Sequence, residues 1–262
     1  MMSGIGKDLN GDSQMTADDQ FGLLIYSIPA VNIGWQFGAD QHITAHDADG
    51  CPVLDMNNDR MVGIVEKFYK IASSPDTFKD VYSSTTYAES TYRSILESGR
   101  SFFTWLDIGS MHSFLRQISF DFGILPMPKY DEAQEGYYTV SSFPYTLYGI
   151  PVDAKDPSMS AAILECLASE SYRTVSPSLF EVALKVKYAS DNDASEMYDI
   201  IRGSNVFDIG RIFNDSVGGK TCSMFRSCLM DNKDAWISTY EKNVKAMTMQ
   251  FNKVVEKLIS EE

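Results

Sequence analysis

The chain has 262 residues, 44% of them hydrophobic and 12% aromatic, enough to bury a core in one or two domains and unlike a disordered chain. With 22 Lys and Arg against 36 Asp and Glu its net charge is −14, which disfavours nucleic acid and anionic membranes as partners, since Lys and Arg hold both. No run is long and apolar enough to span a membrane, and the opening MMSGIGKDLNGD holds no apolar leader core.

Residues 8–19 read DLNGDSQMTADD, the spacing of an EF-hand-like loop with Asp at its last position. Calcium takes about six to eight oxygens, and acidic side chains at alternate positions turn inward as such a loop curls. The candidate ligands are Asp8, Asn10, Asp12, the carbonyl of Gln14, Thr16 and Asp19. Ser13 stands where the turn prefers glycine and φ > 0. The same residues also read as an acidic turn that caps the next helix through Thr16 or Asp18.

Gln20 to Phe37 reads as a helix interrupted at Pro29, and it contains Tyr26 and Trp35. Ile43 to Leu54 reads as a hairpin around Asp49-Gly50, a favoured turn pair. Asn58 opens a helix whose Met61, Ile64, Val65, Phe68 and Ile71 share one face. Ser73 to Tyr87 is polar and loop-like, and Thr86 to Ser98 is helical up to Gly99. Ser101 to Thr104 is a short strand, Trp105 to Asp107 follow it, and Ile108 to Gln117 continues as helix. Phe122 to Leu125 is a buried-type strand stopped by Pro126 and Pro128. A second strand, near Thr146 to Ile150, ends at Pro151.

Asp156-Pro157-Ser158 opens a long amphipathic helix, since Asp caps a helix and proline fits its first turn. Cys166 falls on the apolar side of that helix and reads as core. Pro177–Ala189, Asp193–Arg202 and Val206–Phe213 are helical segments, and Val217–Cys228 is a loop. The last helix runs from about Asp234 to Ser260, with Trp236, Tyr240, Val244, Met247, Phe251, Val254 and Leu258 as its apolar stripe. Cys222 and Cys228 read as reduced thiols in preference to a disulfide, and the three widely placed histidines do not suit a zinc site.

No catalytic signature is present: there is no G-x-S-x-G, no H-E-x-x-H, no P-loop and no G-x-G-x-x-G. The expectation is a protein that is not an enzyme. What the chain offers is aromatics near strand ends and in loops. A sugar's apolar C–H face stacks on such rings, with neighbouring polar groups on its hydroxyls. Each ring could equally be core.

The order GILPMPKYDE (123–132), aromatic loop, YGIPVDAKDP (148–157) and helix, followed by ESYRTVSPSLFEVALKVKYASD (170–191) and NVFDIGRIFND (205–215), resembles the extracellular solute-binding proteins of ABC transporters. More narrowly it resembles the carbohydrate-type, family 1-like members of clostridia-like bacteria. The resemblance runs from about Asp8 to the C-terminus and implies an α/β, type II periplasmic-binding-protein-like fold, of which this chain is the helix-rich C-terminal part. Residues 1–175 would be mostly the C-terminal lobe. Residues 176–262 would complete that lobe and return to an N-terminal lobe that precedes this chain. It further implies a monomer, extracellular and held at the cell surface as a lipoprotein, that captures a carbohydrate and docks on ABC permease subunits. In such a protein the 8–19 calcium would be structural. The residues expected at the ligand are Tyr26, Trp35, Trp105 with Asp107, and Phe143 with Tyr145. A surface glycan-binding or sensor module with the same fold and no transport role is the alternative.

Overall fold

The computed structural model describes residues 4–26, 28–80, 91–109, 118–141, 147–185, 192–231 and 235–260, with the side chains of 29–31 and 183 set aside. At its centre lies a three-stranded parallel sheet. Strand β1 (Phe21–Tyr26) is flanked by β4 (Thr77–Asp80) and β5 (Ser101–Thr104), with Leu24 opposite Phe78 and Leu23 opposite Phe103. All six residues of β1 are buried. This corrects the helical expectation for residues 20–26. FGLLIY is a continuous apolar run with no helical period, and a strand covered on both faces has that pattern. Residues 77–80, expected as loop, form an edge strand on the same sheet.

Leu23 and Ile25 face the main core, with helices α1 (Pro29–Gly38) and α2 (Asp59–Ala72). Leu24 and Tyr26 face the other side, under α3 (Thr91–Glu97). α2 starts where expected. Asn58 caps it, its Oδ1 accepting the Met61 N–H at 2.9 Å, and Met61, Ile64, Val65 and Phe68 are buried. The hairpin β2 (Thr44–His46) and β3 (Pro52–Leu54) also forms as read, with Gly50 at φ 82° in its turn.

Helix α1 is covered along residues 32–38. On one side Gly34 and Gly38 let the Met127-Pro128 strap lie against the helix. A Cβ on Gly38 would stand 2.7 Å from Met127 Cβ and 3.3 Å from the Pro128 carbonyl oxygen. Gly38→Ala is therefore expected to cost about 1–3 kcal/mol by overpacking. A thermal melt checks this, and an unchanged midpoint would mean that the strap is free to move off.

Residues 122–125 have no regular secondary structure, with Phe122 and Ile124 half-buried against Leu184 and Tyr198, and no strand pairs with them among the described residues. Residues 147–150 are likewise irregular. The pairing expected of these segments falls to β6 (Thr139–Val140), which lies parallel to β7 (Asn205–Val206). Asp156 caps α4 (Pro157–Glu170) through the Met159 N–H at 2.9 Å. α4 buries no residue: Met159, Ile163 and Leu167 are exposed, and so is Cys166, which corrects its placement in the core. Wider π-type turns over Ser171–Val175 and Ser178–Leu184 extend the helix to the half-buried Phe180 and the buried Leu184.

Helix α5 (Asn192–Gly203) precedes β7, and Asp208 then caps the short α6 (Ile209–Ile212). Residues 220–228, expected as loop, lie in α7 (Lys220–Met230), entered from Gly218 and Gly219 at φ 72° and 71°. Cys222 and Cys228 both lie buried on this helix. Six residues of helix separate them by about 9 Å, beyond disulfide reach. Burial pushes the Cys222 thiol up to about 11. α8 (Trp236–Ser260) buries Trp236, Tyr240, Met247 and Phe251 as the stripe anticipates, then Val255 in place of Val254. The drift follows from an α-helix turning slightly less than two full turns in seven residues.

Candidate functional site

In open α/β sheets, ligands bind beyond the carboxyl ends of the strands. Here β1 ends at Tyr26 and leads into α1, and β5 ends at Thr104 and leads into Trp105. Pro29 suits the first turn of α1, which has no side-chain cap at Ile28. Asn32 ties the turn down instead, its Nδ2 donating to the carbonyls of Tyr26 at 3.0 Å and Ile28 at 2.8 Å. One turn further on, Trp35 meets Trp105, with ring centroids 3.9 Å apart at 60°. Phe68 closes on Trp35 from α2 at 4.1 Å and 84°.

Both tryptophans are buried, yet neither indole N–H has a partner among the described residues. The same holds for Oδ1 of Asn32 and for both amide atoms of Gln36. Asn32, Trp35 and Gln36 stand at i, i+3 and i+4 and share one face of α1. Buried polar groups are nearly always hydrogen-bonded, and an exception calls for a water or a ligand. This seam offers donors and acceptors and carries no formal charge on those four side chains. Asn32 and Gln36 were missed in the sequence. Their signal was two amide residues four apart inside the apolar run VNIGWQFGA.

Of the expected ligand residues, Trp35 and Trp105 are brought together. Tyr26 lies on the opposite face of the sheet, its ring 5.2 Å from that of Tyr92. Asp107 is half-buried two residues past Trp105, and its charge reaches Tyr92. Tyr92 joins β5 to this region, its hydroxyl touching Thr104 Oγ1 and donating to the Trp105 carbonyl at 3.3 Å. Burial raises the Tyr92 phenol well above its ordinary value. Phe143 and Tyr145 lie outside the described residues.

The 8–19 loop is held by its own amides. Asp8 accepts the N–H of Gly11 at 2.6 Å and of Ser13 at 2.7 Å. Asn10 Oδ1 accepts from Asp12, and Asp12 Oδ1 from the N–H of Gln14. Asp19 is fully buried and accepts the N–H of Thr16 at 2.6 Å and of Leu9 at 2.9 Å. These amides, Thr16's first, hold the Asp19 carboxyl below the usual carboxylate range. Ser13 takes φ 64°, the left-handed turn that a calcium loop makes at this position. The carboxylates are turned on the amides, and no three acidic, Cys or His side chains among the described residues are grouped to hold a metal.

A helix-rich α/β body on a parallel sheet, with a polar seam beyond the strand ends, has the type II periplasmic-binding-protein fold. Over 98% of its length the chain is similar to the maltose/maltodextrin-binding domain MalE from Bdellovibrio bacteriovorus bound to maltotriose, at 14% sequence identity and a TM-score of 0.54. It spans 63% of the length of that structure. No protein-family model matches the chain, and no curated protein matches it.

Proposed function

We propose that this chain is the solute-binding part of an extracellular, two-lobed capture protein of an ABC importer, with a neutral carbohydrate as its solute. The observation that carries the reading is the Trp35–Trp105 pair at the carboxyl end of the sheet, whose two indole N–H groups, with Oδ1 of Asn32 and the amide of Gln36 beside them, lack partners among the described residues. Uncharged donors and acceptors beside aromatic rings suit hydroxyls. The structural neighbour, bound to maltotriose, supports the same class of ligand.

The lobe assignment is part of the proposal. Residues 1–175 are mostly the C-terminal lobe, and 176–262 complete it. The exposed Met159, Ile163 and Leu167 of α4 support a second lobe that covers this helix. Capture then follows from closure of the lobes, favoured only by as much as the solute prefers the closed state. The 8–19 loop is proposed as a structural calcium site. The support is its alternating oxygen side chains and the left-handed Ser13.

Thermal melts with maltotriose and with calcium test the two parts separately. A ligand at a hundredfold excess over its Kd contributes about 2.7 kcal/mol, which moves the midpoint by about 5–10 °C in a chain of this size. Both ligands are expected to raise it. A rise with maltotriose that Trp105→Phe abolishes supports the seam. An unchanged midpoint with maltotriose and other oligosaccharides counts against the carbohydrate reading, and one unchanged by calcium against the loop.

A further inference from the structure

Between β6 and β7 the chain runs through α4 and α5. β6 and β7, two residues each, form one neck where this excursion meets the body, and Leu184 and Tyr198 pack against Leu106, Ile108 and Ile118 at another place. Thr139 donates its N–H to the Ser204 carbonyl at 2.9 Å, and the two hydroxyls of Thr139 and Ser204 meet at 2.9 Å. Two residues past β7 stands Asp208, whose side chain is 1% exposed. Its Oδ1 caps α6 through the N–H groups of Gly210 at 2.8 Å and Arg211 at 3.2 Å. Its Oδ2 accepts from Ile43 at 2.9 Å and Thr44 at 3.1 Å, at the base of the hairpin. One carboxylate thus fastens the returning strand to a distant part of the chain. His42 borders this carboxylate, Nδ1 lying 3.7 Å from Asp208 Oδ2, and its side chain is 37% exposed.

We propose that His42 and Asp208 form a pH-operated latch on the neck through which α4 leaves and rejoins the body. When both ring nitrogens are protonated, His42 adds a positive charge and an Nδ1–H donor to a carboxylate that is otherwise held by neutral amides. When the ring is neutral, its Nδ1 presents a lone pair or an uncharged N–H to Asp208 and the charge attraction is lost. The groups around His42 support this sense. Two residues past the end of α1 stands Asp40, which lies 3.9 Å from Arg60. Loop 136–138 brings the Tyr138 ring, 6.3 Å away, and the end of α1 brings Phe37 at 5.4 Å. α6 brings Asp208 and the buried Arg211. The carboxylate of Asp208, 3.7 Å away, and then the charge of Asp40 hold the His42 imidazole above its ordinary value against the opposing effect of burial.

The direction of the pH effect follows from linkage. A histidine raised on folding contributes stability that is complete below its unfolded value of about 6.5 and is lost as pH climbs through the raised one. The latch is closed in mild acid and released above it. The device uses none of the groups of the Trp35–Trp105 seam, so it stands or falls independently of the sugar reading.

Amide hydrogen exchange in the wild type and in His42→Gln, each at about pH 6 and about pH 8, tests it. Protection factors, corrected for intrinsic exchange, report local opening. In the wild type, protection at Ile43, Thr44 and Thr139 is expected to fall about twofold or more between the two pH values, while Phe68 in α2 stays constant. In His42→Gln the fall at the three neck positions is expected to vanish. An equal fall in the variant, no fall in the wild type, or a fall of the same size at Phe68 would overturn the latch. A titration of the His42 ring by NMR gives a second readout: a midpoint at or below about 6.5 also overturns it.

Discussion

Asp208→Ala is expected to lower the unfolding free energy by about 4 kcal/mol, one of the largest single-site losses in this protein. The side chain is a helix cap for α6, and losing a cap costs about 1 kcal/mol. It is also the acceptor for Ile43 and Thr44, whose amides would be left without a partner in a buried setting. Each orphaned amide costs about 1–3 kcal/mol. The contributions share one carboxylate and do not simply add, which keeps the total near the lower end of their sum. Urea denaturation measures it as a lower midpoint at unchanged slope. Asp208→Asn separates cap from clasp. It keeps one oxygen and turns an NH2 group toward two amide donors, so an intermediate loss is expected. A loss below about 1 kcal/mol for the alanine variant, the size of an ordinary cap, would mean that water replaces the carboxylate.

Trp35→Ala is the second. The ring is buried between Phe68 and Trp105, and removing such a side chain from a core costs about 3–5 kcal/mol through lost transfer energy and the cavity left behind. Trp35→Phe is more informative. It keeps most of the packing and deletes an indole N–H that has no partner among the described residues. Removing an unpartnered buried donor offsets part of the lost area, so a cost below about 1.5 kcal/mol is expected. If phenylalanine proves as harmful as alanine, the N–H has a hydrogen-bonded partner in solution, an ordered water or a ligand. Equilibrium unfolding of the two variants side by side decides this.

The candidate site was legible in the sequence only in part. Trp105 was read as following a strand because Ser101–Thr104 has a strand pattern with a clear stop after it, and that strand forms. Trp35 was singled out as an aromatic near the end of a helix. That the two rings touch depends on β1 and β5 pairing, and β1 itself was read as helix. Asn32 and Gln36 went unnoticed because a polar residue in an apolar run does not reveal whether it is satisfied. Burial and hydrogen-bond partners are properties of the packed chain. Asp208 was passed over for the same reason. In the sequence it is one Asp before a short helix; in the fold it joins residues 165 positions apart.

By itself the sequence determined what local chemistry controls. Asn58 and Asp156 start helices because their side chains satisfy free amides of the first turn. Asp49-Gly50 turns the hairpin because glycine reaches φ 82° without strain. The repeat along α2 chose its buried face. Tertiary structure alone decided the state of the apolar runs, the pairing of β6 with β7, and which apolar faces are covered. FGLLIY is a strand because two neighbours take its backbone hydrogen bonds. α4 has every local mark of a helix, yet no residue of it is buried. A helix forms from contacts a few residues apart, whereas a buried face needs a partner that no local signal specifies.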